Sequence, residues 1–388
     1  MKPANTLLEQ TGTTIFTVMS ALSLQHGAIN LGQGFPDTEG PADIVQAAAD
    51  ALRDHRNQYP PLTGLPELKS AVAAANQRFY GLEIDPAAGV CVTSGATEAI
   101  TACLMALLNP GDEAILIEPL YDTYLPVVKM LGATARLVRL EPPGWELPRA
   151  VLAAAFSPKT KLLLLNSPMN PTGKVFTPDE LDFIAGLLTQ HDAYAVCDEV
   201  YEHLVFPPAR HIPLMTLPGM AARTLRIGSA GKTFSLTGWK VGYVSGPANL
   251  ISLTAKAHQN LTFTTAPNLQ RAVALGLAKP DDYFAGLAGA LMAQRDILDT
   301  GLKRLGFITL PTDGSYFITA DITPLSFPGD DVDFCRAITT QAGVAAIPVS
   351  AFYAGAAPRN YVRFAFCKQP DVLREALARL ENWRAGKS

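Results

Sequence analysis

Four stretches of this chain carry residue types that could do chemistry, and each follows a short apolar run. Cys91-Val92-Thr93 leads into Ser94-Gly95-Ala96-Thr97-Glu98. Small residues opening a helix leave backbone N–H groups free, and the helix dipole adds attraction for an anion such as phosphate. By itself the stretch is equally a plain helix cap. Leu162–Leu165 leads into Asn166-Ser167-Pro168-Met169-Asn170-Pro171-Thr172-Gly173, where two prolines and a glycine stiffen the loop. Stiffness suits an amide that must point at a ligand, although an Asn-Pro turn also occurs without one. Ala193–Cys197 leads into Asp198-Glu199-Val200-Tyr201. Two acids behind an apolar strand need a cation or a ligand, unless one simply caps the next turn. Thr224–Gly228 leads into Ser229-Ala230-Gly231-Lys232-Thr233-Phe234, then Gly238-Trp239-Lys240-Val241-Gly242. A lysine among small residues can approach a carbonyl closely, and partial burial lowers its pKa towards the free amine that imine formation needs. A lone lysine is more often solvated at the surface. The Gly-Lys-Thr at 231–233 is not a phosphate-binding P-loop, because no glycine lies five residues before Gly231.

In an open α/β sheet, ligands bind beyond the carboxyl ends of the strands, so these four stretches should converge. Together they offer an anion cradle, a fixed amide, an acid and a lysine. That set suits a phosphorylated aldehyde with a ring nitrogen and a ring oxygen, the chemistry of pyridoxal 5'-phosphate.

The elements that must position them alternate between apolar runs and helical stretches. Candidate strands are Gly89–Thr93, Glu113–Glu118, Thr134–Val138, Lys161–Asn166, Ala193–Cys197, Thr224–Gly228 and Val241–Ser245. Helical stretches between or after them include Thr97–Leu108, Pro178–Leu188 and Leu250–Gln259. Apolar runs without clean alternation suit strands buried on both faces. The expectation is a doubly wound α/β layer on a mostly parallel, seven-stranded sheet. From about Asp281 the texture changes: a long helix (Asp282–Leu305), short strands at Phe307–Leu310, Ser315–Asp321, Val344–Pro348 and Tyr361–Phe366, and a closing helix over Asp371–Trp383. That predicts a smaller α+β domain. Residues 1–40 are expected to be an irregular arm, 41–280 a large cofactor-binding domain and 281–388 the small one.

At 388 residues the chain is too long for one ordinary core. Hydrophobic residues at 48% and charged ones at 17% are the balance of a soluble globular protein. A net charge of −4 without polybasic runs argues against nucleic acid and anionic membranes as partners. Five scattered cysteines without a C-x-x-C pair predict reduced, mostly buried thiols. The start MKPANTLLEQ lacks the apolar core of a secretory signal, and no stretch reads as membrane-spanning, so a cytoplasmic protein is expected. No metal site is expected.

The chain resembles the class I/II aminotransferases of fold type I along nearly its whole length, most closely the branch holding kynurenine, glutamine–phenylpyruvate and methionine aminotransferases. The resemblance rests on INLGQGFPD (29–37), NQYPPLTG (57–64), VTSGATEA (92–99), EPLYDTY (118–124), NSPMNPTGKVF (166–176), CDEVYEHLVF (197–206), RIGSAGKTFSLTGWKVGY (226–243), GSYF (314–317) and YVRFAF (361–366). It implies that Lys232 bonds to the cofactor and then shuttles a proton, and that Asp198 partners the pyridine nitrogen. Tyr201 and Asn170 would donate to the ring oxygen, and Tyr121 would stack on the ring. Ser229, Lys240 and the N–H groups of Ala96 and Thr97 would cradle the phosphate. Tyr59 would reach the phosphate of a neighbouring subunit, implying a homodimer with shared sites. Arg363 would take the substrate α-carboxylate, which Gly34 of the arm would also touch, and Asn170, Phe16 and Phe263 would bind substrate as well.

Two departures bear on the substrate. No arginine lies between Lys240 and Arg271, and the Ser94–Glu98 loop has no lysine. Dicarboxylate-specific relatives bring a second cation to one of those regions. With Phe16, Phe35, Tyr121, Phe263 and Phe352 expected near the side chain, an apolar or aromatic amino acid is the expected donor and a 2-oxo acid the acceptor. A cysteine-conjugate β-lyase would use the same Lys232. A cofactor-binding regulator would need a DNA-binding domain for which the chain before Leu31 has no room. A nicotinamide enzyme would need a G-x-G-x-x-G after the first strand, which is missing.

Overall fold

The computed structural model describes residues 2–9 and 12–386. The arm holds strand β1 (Ile29–Asn30), and the large sheet follows: β2 (Val90–Ser94), β3 (Glu113–Glu118), β4 (Thr134–Arg139), β5 (Thr160–Asn166), β6 (Tyr194–Asp198), β7 (Thr224–Ser229) and β8 (Val241–Ser245). The spatial order is β2-β8-β7-β6-β5-β3-β4, with β8 antiparallel to both neighbours and every other pairing parallel. Strand β3 is buried along its whole length, as expected of a strand covered on both faces. Helices such as Gly95–Leu107, Pro178–Gln190 and Ala248–Leu261 supply the covers.

Register brings the four chemical stretches to one edge. Asn166 pairs with Asp198 across β5 and β6, Ser229 with Gly242 across β7 and β8, and Ser94 with Val241 across β2 and β8.

Beyond the long helix Asp281–Arg304 come β9 (Ile308–Thr309), β10 (Phe317–Asp321), β11 (Val344–Ala345), β12 (Ile347–Pro348) and β13 (Tyr361–Ala365). An antiparallel sheet, ordered β12-β13-β10-β9, carries Arg363 opposite Thr319. The closing helix is Pro370–Ala385. The single strand expected over 344–348 is in fact two: β11 pairs parallel with β1 of the arm, and β12 pairs with β13.

The arm is less irregular than expected. Ile15–Gln25 is an 11-residue helix that buries Met19, with Ile15, Phe16 and Leu22 against the same core. Their spacing lays one apolar stripe along a helix, and Thr14 caps it by accepting from the Thr17 N–H. Met1, Gln10 and Thr11 of the arm, with Lys387 and Ser388, lie outside the described residues.

Candidate active site

A cavity of about 360 Å³ opens beyond the carboxyl ends of β5, β6 and β7. Ala96, Thr97, Ser229 and Lys240 line one end of it. Ser94 makes no side-chain cap at the start of the helix Gly95–Leu107; instead its N–H donates to Glu98 Oε2 at 2.8 Å. The first-turn N–H groups therefore face the cavity without a capping side chain. Gly242 allows this turn to lie on β8: a Cβ there would stand 2.6 Å from Gly95 C and 2.9 Å from Ala96 N. Lys240, left-handed at φ 53°, brings its Nζ within 3.2 Å of where a Gly95 Cβ would be.

Asp198 and Lys232 occupy the middle. The Tyr124 hydroxyl donates to Asp198 Oδ2 at 2.5 Å, while Oδ1 is buried and has no hydrogen-bond partner. Burial pushes the Asp198 carboxyl up to about 6, against the Tyr124 hydrogen bond that favours its charge. Burial likewise pulls Lys232 down to about 8, with Asp198 among the groups opposing the shift. Lys232 Nζ lies 3.1 Å from the Tyr316 hydroxyl.

At the other end Arg363 is buried over the Phe317 ring, its guanidinium carbon 3.9 Å from the centroid. Burial lowers Arg363 to about 10, which leaves it a cation at neutral pH. It donates to Asn170 Oδ1 at 2.7 Å and to the Gly32 carbonyl. Asn170 Nδ2 is thereby turned away as the free donor of that amide. Asn166 holds the loop from below, accepting from the Asn170 N–H at 2.9 Å and donating to the Asp198 carbonyl at 2.9 Å. Phe16, Gly34, Tyr121 and Tyr201 complete the wall.

Tyr59, expected to serve a neighbouring subunit, and Phe263 both lie outside this cavity. Tyr59 is 81% exposed and Phe263 43% exposed, and they pack edge-on against each other at 5.1 Å. Phe263 was expected at the substrate pocket. It stands just beyond the helix Ala248–Leu261 with a left-handed backbone, φ 65°, and its ring lies on Tyr59 instead. Phe352 does not line the cavity either; it packs on Phe16 at 5.5 Å and on Arg363 at 5.1 Å. The second acid of the strand end meets a buried cation: Glu199 takes Arg226 and His211. Tyr124, Tyr316, Phe317, Asn166 and Asp122 line or brace the site; they stand within the stretches that carry the resemblance but were given no role from sequence. Their spacing carries no local signal, because the contacts that matter span 74 residues for Tyr124 and 84 for Tyr316.

The residues fit pyridoxal phosphate. Asp198 lines the cavity, and its buried Oδ1, an acceptor without a partner, suits a protonated ring nitrogen. The uncapped helix start beside Ser229 and Lys240 suits the phosphate, and Lys232 the aldehyde. Among the described residues no cluster could hold a metal ion, and no helix is long and apolar enough to cross a membrane.

Known proteins agree with this chemistry. The family model described as aminotransferase class I and II matches residues 26–380. A probable N-succinyldiaminopimelate aminotransferase of Mycobacterium tuberculosis is 46% identical over 379 residues, 95% of each chain. A methionine aminotransferase of Escherichia coli is 38% identical over 373 residues, 96% of each. The solved structure of the mycobacterial N-succinyldiaminopimelate aminotransferase superposes with a TM-score of 0.95, covering 98% of this chain and 100% of that one. Geometry and likeness meet in one conclusion: the chain belongs to the class I and II aminotransferases, enzymes that work with pyridoxal phosphate.

Proposed function

We propose that the enzyme moves the amino group of an apolar or aromatic L-amino acid, of the methionine, phenylalanine or kynurenine type, to a 2-oxo acid. The observation that carries this reading is the charge inventory of the cavity. Among its described lining residues the cations are Lys232, Lys240 and Arg363. Lys232 and Lys240 serve the cofactor, and every α-amino acid engages Arg363 with its α-carboxylate. A second carboxylate would meet Phe16, Phe35, Tyr121 and Phe317, beside the acid Asp122. An unpaired buried anion costs several kcal/mol, whereas an apolar side chain gains roughly 1.5–3 kcal/mol by leaving water there.

Bound pyridoxal phosphate supplies the electron sink that makes loss of the substrate Cα proton feasible. In this reading Lys232 Nζ would hold the cofactor and would be the base for the Cα proton. Asp198 would accept from the ring N–H, Asn170 Nδ2 and the Tyr201 hydroxyl would donate to the ring oxygen, and Tyr121 would stack on the ring. Ser229, Lys240 and the first-turn N–H groups of Ala96 and Thr97 would bind the phosphate. We assign the exposed Tyr59–Phe263 pair to the mouth of a partner subunit's cavity in a homodimer. Five free, buried cysteines fit a reducing compartment such as the cytoplasm.

A competition between methionine and aspartate over one 2-oxo acid tests the donor class. Methionine should win by about a hundredfold in kcat/KM, since each 1.4 kcal/mol is a factor of ten; aspartate winning sinks the reading. The 46% identity to the mycobacterial relative favours a second donor, N-succinyldiaminopimelate, which belongs in the same panel. If it outcompetes methionine, the side-chain site reaches cations beyond this cavity. Product analysis with a cysteine conjugate separates transamination from β-elimination.

A further inference from the structure

Arm carbonyls meet both of the cations that face the substrate. Arg363 donates to the Gly32 carbonyl. The Tyr316 hydroxyl donates to the Gly34 carbonyl at 2.5 Å and stands 3.1 Å from Lys232 Nζ, which is itself 3.5 Å from that carbonyl. Packing holds this chain of contacts in place. Tyr316 is buried edge-on to Tyr201 at 5.2 Å and to Phe317 at 4.8 Å. A Cβ on Gly34 would run into Phe317 Cζ and stand 3.0 Å from Tyr316 Cε2, so only glycine lets the arm lie this close to the two rings.

The polarity of the chain decides what Lys232 can do. A carbonyl has no proton to give, so the proton between Tyr316 and Gly34 belongs to Tyr316. With its one donor committed, Tyr316 can only accept from Lys232. A neutral amine that donates an N–H to Tyr316 keeps its lone pair free. If the hydroxyl pointed the other way, it would cap that lone pair and block the base.

We propose that Tyr316 is a positioning residue, orienting the released Lys232 amine as a base and coupling it to the arm at residues 32–37. The proposal rests on the reading of Lys232 as the cofactor lysine. Burial brings the amine down to about 8, so its neutral form is accessible near neutral pH. In the proton transfer the substrate Cα–H bond would break and an N–H bond form at Nζ, while the electron pair left behind would pass into the electron sink that bound cofactor supplies. The same Nζ would give that proton back when the pair is used to form a new C–H bond, so Lys232 ends as it began.

Tyr316→Phe keeps the ring and removes only the hydroxyl, and the holoenzyme allows the test. Hydrogen exchange of the 32–37 amides is compared between the aldehyde form, in which Lys232 is bonded, and the amino form, in which it is free. The wild-type arm should exchange up to about tenfold more slowly in the amino form, the worth of one hydrogen bond, and the variant should lose that difference. In a stopped-flow half-reaction with an α-deuterated donor, the variant should be about tenfold slower, with a larger isotope effect. Wild-type arm protection and an unchanged isotope effect in Tyr316→Phe overturn the proposal. Borohydride reduction and peptide mapping of the same holoenzyme keep the two failures apart: a label on another lysine removes the Lys232 reading itself.

Discussion

Burial takes the Lys232 amine from 10.5 to about 8, which suits it to the proposed role of base. Lys232→Ala should therefore abolish transamination, by more than the ~10²–10⁴-fold typical of a positioned acid or base, while cofactor still binds through the phosphate cradle. Single-turnover kinetics and an absorbance titration would read both. The shift also has a consequence for stability. The folded amine titrates below its unfolded value, so in the cofactor-free chain its charge costs stability below pH 8, and the cost fades as pH rises towards 10.5. Lys232→Met should raise the melting temperature of the cofactor-free chain at pH 7 and lose that gain by about pH 10; equal melting at pH 7 would show that burial costs nothing here. Asp198 runs the other way: its carboxyl titrates near 6, so cofactor affinity should fall as pH drops through that value. Tyr124→Phe removes a donor to the charged form, and the fall should move to higher pH. Fluorescence titrations between pH 5 and 8 would show whether it moves. The sequence marked Asp198 and Glu199 alike as acids in search of a partner; only side-chain direction separates one facing the cavity from one buried against Arg226.

Strands deliver the site through close backbone contact. Gly242→Ala would press a methyl group against the turn at Gly95 and Ala96, at 2.6–2.9 Å. Overpacking of this kind costs about 1–3 kcal/mol, so the Kd for pyridoxal phosphate should rise by about tenfold or more. An unchanged Kd would mean that the turn yields without loosening the cradle. Behind β6, Arg226 of β7 joins Glu199, Glu202 and Asn76 in a buried cluster, and Tyr80 donates to Glu202 at 2.8 Å. Burial alone would raise Glu202, yet the Arg226 guanidinium holds it at about 2. Arg226→Met leaves Glu199 with only His211 and Glu202 with only the Tyr80 hydroxyl, and should cost about 3–5 kcal/mol, read as a lower denaturant midpoint. The seven large-sheet strands were legible within a residue or two, because most are short, largely apolar runs ending in turn residues. The break at Ala346 was not, since Val344–Ala345 and Ile347–Pro348 form one apolar run that two different partner strands divide.

On the scale of the whole molecule, the open question is what covers the Tyr59–Phe263 pair. Two large aromatic rings at 81% and 43% exposure stand apart from the cavity that the other site residues share. If they complete a partner's site, mixing the inactive variants Tyr59→Ala and Lys232→Ala should restore part of the activity through hybrid dimers. No recovery after verified subunit exchange would refute shared sites.

The chemical stretches, each at the end of an apolar run, pointed to the cofactor, and the aminotransferase family was legible as a resemblance in nine stretches. Those signals are local: a strand, a turn and a functional residue within about ten positions. Tertiary structure alone decided which groups tune them. Tyr124 reaches Asp198 across 74 residues, Tyr316 reaches Gly34 across 282, and Arg363 reaches Asn170 across 193. Contacts between segments that far apart exist only once the sheet, the small domain and the arm have packed, and no spacing in the chain records them.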